Sequence, residues 1–170
     1  SVEVSRLQTG MSQMVKHVMR NCFFNPESHH FETSGLLLDM SEPGSHRTMV
    51  RLFARHALTI CDFAALVQLL TAMGQQGLKP CPSCSNIVKD DLADGNDLLP
   101  LSSLEPHKWK LHTDQSVRDI QAPLHAQKGL ISKTAFENLE SRMGYHYNAN
   151  SIINDAVLRY QTISTLRYDW

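Results

Sequence analysis

The segment Cys81-Pro82-Ser83-Cys84 lies within a stretch that has little means of folding on its own. From Gly74 to about His112 there is no apolar periodicity: Gly74, Gly77, Pro80 and Pro82 surround the cysteine pair, and Lys89 to Asn96 is polar and acidic. A connection this long without secondary structure is unusual in a folded chain unless something ties it down. A bound metal would do so. Two thiolates at this spacing on a tight turn can grip one Zn²⁺ from the same side, leaving two corners of the tetrahedron for other groups. Two readings compete. The pair could be ordinary reduced cysteines, or a thioredoxin-like redox motif, which needs its first Cys at a helix N-terminus after a strand. Here a helical pattern and a Gly/Pro loop precede it, which disfavours the redox motif. The expected structural zinc set is therefore Cys81, Cys84 and His112, the last at the far end of the loop. His107, Asp114 and His125 compete for the fourth corner, whereas Cys22 and Cys61 sit on apolar patterns and are expected in the core.

The flanks read as mixed α/β. Leu7, Met11, Met14, Val15, Val18, Met19 and Cys22 recur at helical spacing, predicting a helix over 5–22 that Asn25-Pro26 ends. Adjacent His29 and His30 fall in a polar connection and are expected to be solvated rather than to share an ion. Two strands follow, Gly35 to Leu38 and a longer one over 48–61 that bends near Arg55-His56, with a turn at 41–45 between them. Phe63, Leu66, Val67, Leu70 and Met73 predict a second helix stopped by Gly74. Beyond the loop, Thr113 or Asp114 caps a helix that Pro123 should kink or end, and Thr134 to Glu137 has capping-box spacing before Phe136, Leu139 and Met143.

Bulk properties exclude several classes. With 42% hydrophobic and 19% charged residues, the chain is too apolar for a disordered segment. No apolar run reaches the length of a membrane span, and neither a signal peptide nor an initiator Met stands at Ser1. Four cysteines without a secretory signal point to reduced thiols inside the cell. A formal net charge of −1 and no basic stripe along the sequence argue against a segment that holds nucleic acid by itself.

Asp62 is the second chemical signal. It ends the apolar run Leu58-Thr59-Ile60-Cys61 and precedes a helix. A carboxylate at the C-terminal end of a strand is where α/β enzymes place metal-binding acids. The plainer alternative, favoured by the residues alone, is that Asp62 is the N-cap of the following helix.

The run Cys61-Asp62-Phe63-Ala64-Ala65-Leu66, followed by Met73 to Cys84, resembles a stretch of CACTA-type DNA transposases, in which an Asp ends a strand, a short helix follows, and a G-x-x-G…C-x-x-C segment leads into a zinc-binding insertion. A closer resemblance is to the multicopy transposase-like reading frames of dinoflagellate genomes. Gly77 to Val88 echoes their G-T-K-P-C-x-x-C-x-N-x-V pattern, Leu111 to Ser116 their L-H-T-D-x-S, Tyr168-Asp169-Trp170 the start of their Y-D-W-M-H, and Gly10 to Met14 their G-M-S-x-V. The likeness spans nearly the whole chain and is most specific over 74–88 and 111–116.

The resemblance implies a partial RNase H-like core over 1–73, a zinc-binding insertion over 74–112 and a helical continuation over 113–170. It implies that Asp62 and Asp169 are two of three acids that hold catalytic Mg²⁺ or Mn²⁺ in the intact parent protein. The first acid would lie on a strand upstream of Ser1, and Glu137 and Glu140 are expected to be a cap and a solvated face rather than the third. The implied activity is cut-and-paste DNA transposition, incomplete in this segment alone, with DNA bound through the parent protein, a nuclear setting, and homo-oligomerisation left open. The competing expectation is a non-enzymatic zinc-stabilised interaction module or transposon relic in which Asp62 only caps its helix.

Overall fold

The computed structural model describes residues 10–24, 30–41, 43–44, 46–93, 97–103 and 105–168. Four helices stand among them: α1 (Met11–Cys22), α2 (Phe63–Leu70), α3 (Asp114–Gln127) and α4 (Lys133–Met143). The six strands, β1 (Leu36–Asp39), β2 (Met49–Leu52), β3 (Thr59–Cys61), β4 (Ile87–Val88), β5 (Leu99–Pro100) and β6 (Leu166–Tyr168), form three two-stranded sheets. The fold is mixed α/β. No described helix is long and apolar enough to cross a membrane.

One apolar cluster joins the N-terminal and C-terminal parts. Met19 of α1, Leu66, Leu69 and Leu70 of α2, Val117 and Leu124 of α3, and Tyr145, Ile152, Ile153 and Leu158 are all buried in it. Phe136, Leu139 and Met143 of α4 pack against its side. The periodicity expected for α1 is met by Met19 and Val15, but Val18 is exposed. Ser12 is instead fully buried, and its hydroxyl accepts the Ile152 N–H at 3.0 Å. A buried hydroxyl with a partner costs little, so a polar residue can occupy the stripe. Leu7, Asn25-Pro26 and His29 lie outside the described residues.

The long strand expected over 48–61 is two strands in different sheets. β2 pairs antiparallel with β1, from Leu36↔Leu52 to Asp39↔Met49. β3 pairs parallel with β6, from Thr59↔Leu166 to Cys61↔Tyr168. Between them the chain turns aside to build an aromatic cluster, with His56 5.7 Å from Phe23 and 6.1 Å from Phe24, and with the Ala54 N–H given to Phe31 O.

Three further expectations are corrected. α2 stops at Thr71 rather than at Gly74: Thr71 is the one described non-glycine residue at positive φ (52°). The strain is offset by a clasp with His146, whose N–H donates to Thr71 O at 2.8 Å while the Thr71 hydroxyl donates to His146 O at 3.1 Å. Pro123 lies inside α3 and does not end it; the next residue, Leu124, is fully buried, so packing holds the last turn. α4 is capped by Ser132, which accepts from Ala135 N, so Thr134 is a helical residue and not a cap.

Candidate metal centre and the strand-end carboxylate

The loop over 74–112 is tied down by a side chain. Asn86 is 5% exposed, and its amide donates to Asp97 O at 3.2 Å and Lys108 O at 3.0 Å, while its Oδ1 accepts from Lys110 N at 2.8 Å. Its own backbone carbonyl accepts from Leu99 N. One residue therefore fixes three separate points of the loop, and β4 and β5 are its short parallel by-product.

The same pinning folds the far end of the loop back onto the cysteine turn. Cys84 and Leu111 form an antiparallel bridge, Ser85 N donates to Lys110 O at 2.7 Å, and His112 N donates to Ser83 O at 2.9 Å. Residues 83–85 and 110–112 thus run side by side. Gly144 at the end of α4 lies against Lys79, where a Cβ would come within 2.9 Å of the lysine Cβ, so that α4 closes the other side of the turn.

Inside the turn, Cys84 is buried and Cys81 is half-buried. The Cys81 sulfur accepts a hydrogen bond from the Cys84 thiol and, against the effect of burial, from the backbone N–H groups of Ser83 and Cys84, which together lower its pKa to about 6. Three donors aimed at one sulfur favour its thiolate. The Cys84 thiol is pushed up, first because its S–H donates a hydrogen bond to the Cys81 sulfur and then by burial. Tyr145, 2% exposed, closes the floor: its hydroxyl donates to Pro82 O at 3.2 Å and its ionisation is suppressed by burial and by the neighbouring sulfurs.

His112 packs its ring edge-on against Tyr145, with centroids 5.7 Å apart, and is 7% exposed. Burial, and then the Lys79 charge, lower its pKa to about 4. Its tautomer follows from its neighbours. The arrangement in which the Ser116 hydroxyl donates to Thr113 O at 3.0 Å and accepts from His112 Nδ1 at 3.0 Å satisfies both contacts, and it assigns the imidazole proton to Nδ1 and leaves Nε2 bare. Ser116 also completes the capping box of α3 with Thr113, so one hydroxyl sets both the helix start and the histidine tautomer.

The donor set matches zinc chemistry in kind: one sulfur held as thiolate, a second beside it, and a neutral imidazole with a free nitrogen. The thiol pair is prearranged. His112 is brought to the cysteine turn by its backbone, but among the described residues no three His, Cys, Asp or Glu side chains stand together at metal-binding spacing. The rivals for the fourth corner are engaged or remote in kind. The Asp114 carboxylate accepts from Ile163 N at 2.7 Å and Ser164 N at 3.2 Å, His125 Nδ1 bonds the Tyr147 hydroxyl, and His107 lies on an exposed turn. Cys61 packs against the core cluster, while Cys22 is half-buried at the end of α1.

Asp62 caps α2, its Oδ1 accepting from Ala65 N at 2.7 Å. It is exposed at the end of β3, and its second oxygen has no partner among the described residues. Asp169 lies outside the described residues. The residues that precede the two acids, Cys61 and Tyr168, are register partners in the parallel β3–β6 pair. Glu137 is exposed and pairs with Lys133 at 3.8 Å. Glu140 is buried, not on a solvated face: its carboxylate accepts from Tyr147 N at 2.7 Å and stands 3.4 Å from His146 Nδ1, fixing the segment after α4. Asn86 and Ser116 are the residues that sequence reasoning missed. Asn86 stands two positions after Cys84 in the pattern quoted above, but its role appears only once residues 97, 108 and 110 surround it.

Compared with protein-family models, curated proteins and solved structures, the chain has no match.

Proposed function

We propose that the chain is the central part of a DDE-type cut-and-paste DNA transposase, with a partial RNase H-like core and a zinc-bearing insertion. The observation that carries the reading is the β3–β6 register: Asp62 and Asp169 each directly follow one of two paired residues, Cys61 and Tyr168, on parallel strands. Acids that begin at the ends of neighbouring strands can come close enough to share two divalent ions about 4 Å apart. In this reading Asp62 keeps one oxygen on the Ala65 N–H and offers the other to a metal, so that capping orients the ligand. Mg²⁺ or Mn²⁺, bound in the intact parent, would supply an activated water or 3′-hydroxyl and stabilise the leaving oxygen. Zn²⁺ would be held by Cys81 and Cys84, with His112 Nε2 as the third donor, and would hold the insertion's turn rather than take part in the chemistry.

The test is made in the parent protein. Asp62→Asn keeps an oxygen for the cap and removes the metal-binding charge. It is expected to abolish Mg²⁺-dependent strand cleavage while leaving thermal stability and zinc content unchanged; cleavage at the wild-type rate would defeat the assignment. The second reading, a non-enzymatic zinc-stabilised module, is favoured by the Ala65 cap bond, and it alone is compatible with that result.

A further inference from the structure

Along one side of α3, cations of the helix, of its C-cap and of the segment packed against it are laid on tyrosines from a later part of the chain. The Arg118 Cζ lies 4.5 Å from the Tyr160 ring centroid, and Arg159 Cζ lies 4.9 Å from the same ring. At the other end of the helix, Lys128 Nζ is 4.8 Å from the Tyr147 centroid and the His125 ring is 5.5 Å from it. Arg118 and His125 are seven residues apart, which on an α-helix leaves them about 20° apart around the axis and about 10 Å apart along it. No basic run in the sequence announces this face, because half of it arrives from beyond α4.

These cations lack the usual compensation. Among the described residues, no carboxylate pairs with Arg118, Arg159 or Lys128; the ion pairs present use Arg20, Arg47, Arg55, Lys108, Lys110, Lys133 and His146. The nearest acid on the helix, Asp119, accepts from Gln115 Nε2, and Gln115 Oε1 in turn accepts from Arg118. Arg118 also donates to Arg159 O, and Arg159 donates to the Tyr160 hydroxyl at 2.9 Å, so both guanidinium groups are held rather than free. Two like charges fixed on one ring repel unless an anion joins them. Tyr160 as a residue is 55% exposed beside them.

We propose that this face, Arg118, Arg159 and Tyr160 with Lys128 and Tyr147, binds the phosphate backbone of a single nucleic-acid strand. Guanidinium forks match phosphate oxygens, and guanidinium planes, like aromatic rings, stack on the unpaired bases of a single strand. A repeating chain of phosphates can engage both ends of the line at once, which an isolated phosphorylated side chain cannot. The site does not involve Asp62, and it stands or falls independently of the strand-cleavage reading.

The test is fluorescence anisotropy of the whole chain with a labelled twenty-nucleotide oligothymidylate, over a salt series. The double variant R118Q/R159Q is expected to bind at least tenfold more weakly, with a salt slope shallower by about 1.4 for two lost single-strand phosphate contacts. Lys128→Gln, at an exposed helix end, should reduce the slope by about 0.7 and serves if the double variant fails to fold. Lys133→Gln on α4 should change neither quantity. A methylphosphonate strand of the same sequence, which has no backbone charge, should not bind. Equal binding of that neutral strand, unaltered affinity and slope in the folded R118Q/R159Q or Lys128→Gln variants, or capture of a phosphotyrosine peptide with no affinity for the oligonucleotide would each overturn the proposal.

Discussion

If Asn86 rather than a metal holds the loop, removing its amide should loosen the loop in the presence of a chelator. Asn86→Ala deletes three hydrogen bonds, to Asp97 O, Lys108 O and from Lys110 N, at a site that is 5% exposed. At about 1 kcal/mol for each buried hydrogen bond, the expected loss is about 3 kcal/mol, somewhat less where water enters to serve the freed carbonyls. Asn86→Asp should be at least as damaging. Its isosteric carboxylate can still accept from Lys110 N, but its other oxygen would face two carbonyl oxygens and its charge would be buried. The assay is urea unfolding with excess EDTA, together with amide exchange at Lys110, whose N–H loses its acceptor in the Ala variant. A loss below about 1 kcal/mol would refute the reasoning. So would EDTA-treated wild-type protein whose amides over 85–112 exchange as freely as an unfolded chain, because the metal would then be the tie.

Two further outcomes follow from the cysteine turn and its histidine. The chain should bind about one Zn²⁺, and Cys81→Ser or Cys84→Ser should abolish binding; because Asn86 supports the loop independently, each variant should keep most of its fold without metal, which circular dichroism would check. His112 is held neutral in the folded state, with its pKa lowered from 6.5 to about 4, so the unfolded chain binds the extra proton first. The His112 contribution to metal-free stability should therefore be flat above pH 6.5 and should fall between pH 6.5 and about 4, and His112→Gln should remove that fall, whereas the Cys81 thiol, lowered from 9.0 to about 6, adds a separate rise between about pH 6 and 9. The full separation corresponds to about 3 kcal/mol as an upper figure, and a pH profile identical in the Gln variant would remove His112 as the cause.

What could be read from the sequence was local. The cysteine spacing, the helical stripe with Met19, the acid at the head of α2 and the capping residue Thr113 all depend on neighbours within one turn of chain. The misreadings depend on distant residues. Nothing near Thr71 indicates that the chain can turn left-handed there; the clasp comes from His146. The run from Thr48 to Cys61 alternates well enough to be one strand, and it divides because β1 and β6 claim its two ends in different sheets. Glu140 carries the pattern of a solvated helical acid and is buried because the backbone after Gly144 turns back onto it. The hold of Asn86 on the loop was not legible because a single asparagine gives no periodic signal.

Asp62 marks the point where local legibility and function separate. Its sequence context supported a cap and a strand-end acid as alternatives, yet the geometry makes them compatible. The cap uses Oδ1 alone, on Ala65 N, and the residue stays exposed at the end of β3. A carboxylate anchored through one oxygen has lost most of its rotamer freedom, so a metal meeting its other oxygen need not order it again. Capping would thus strengthen the acid as a ligand by preorganising it. What decides between a cap and a capping ligand is whether a second acid faces it. The parallel pairing of Cys61 with Tyr168, one residue before each acid, is the structural reason to look for that partner at Asp169.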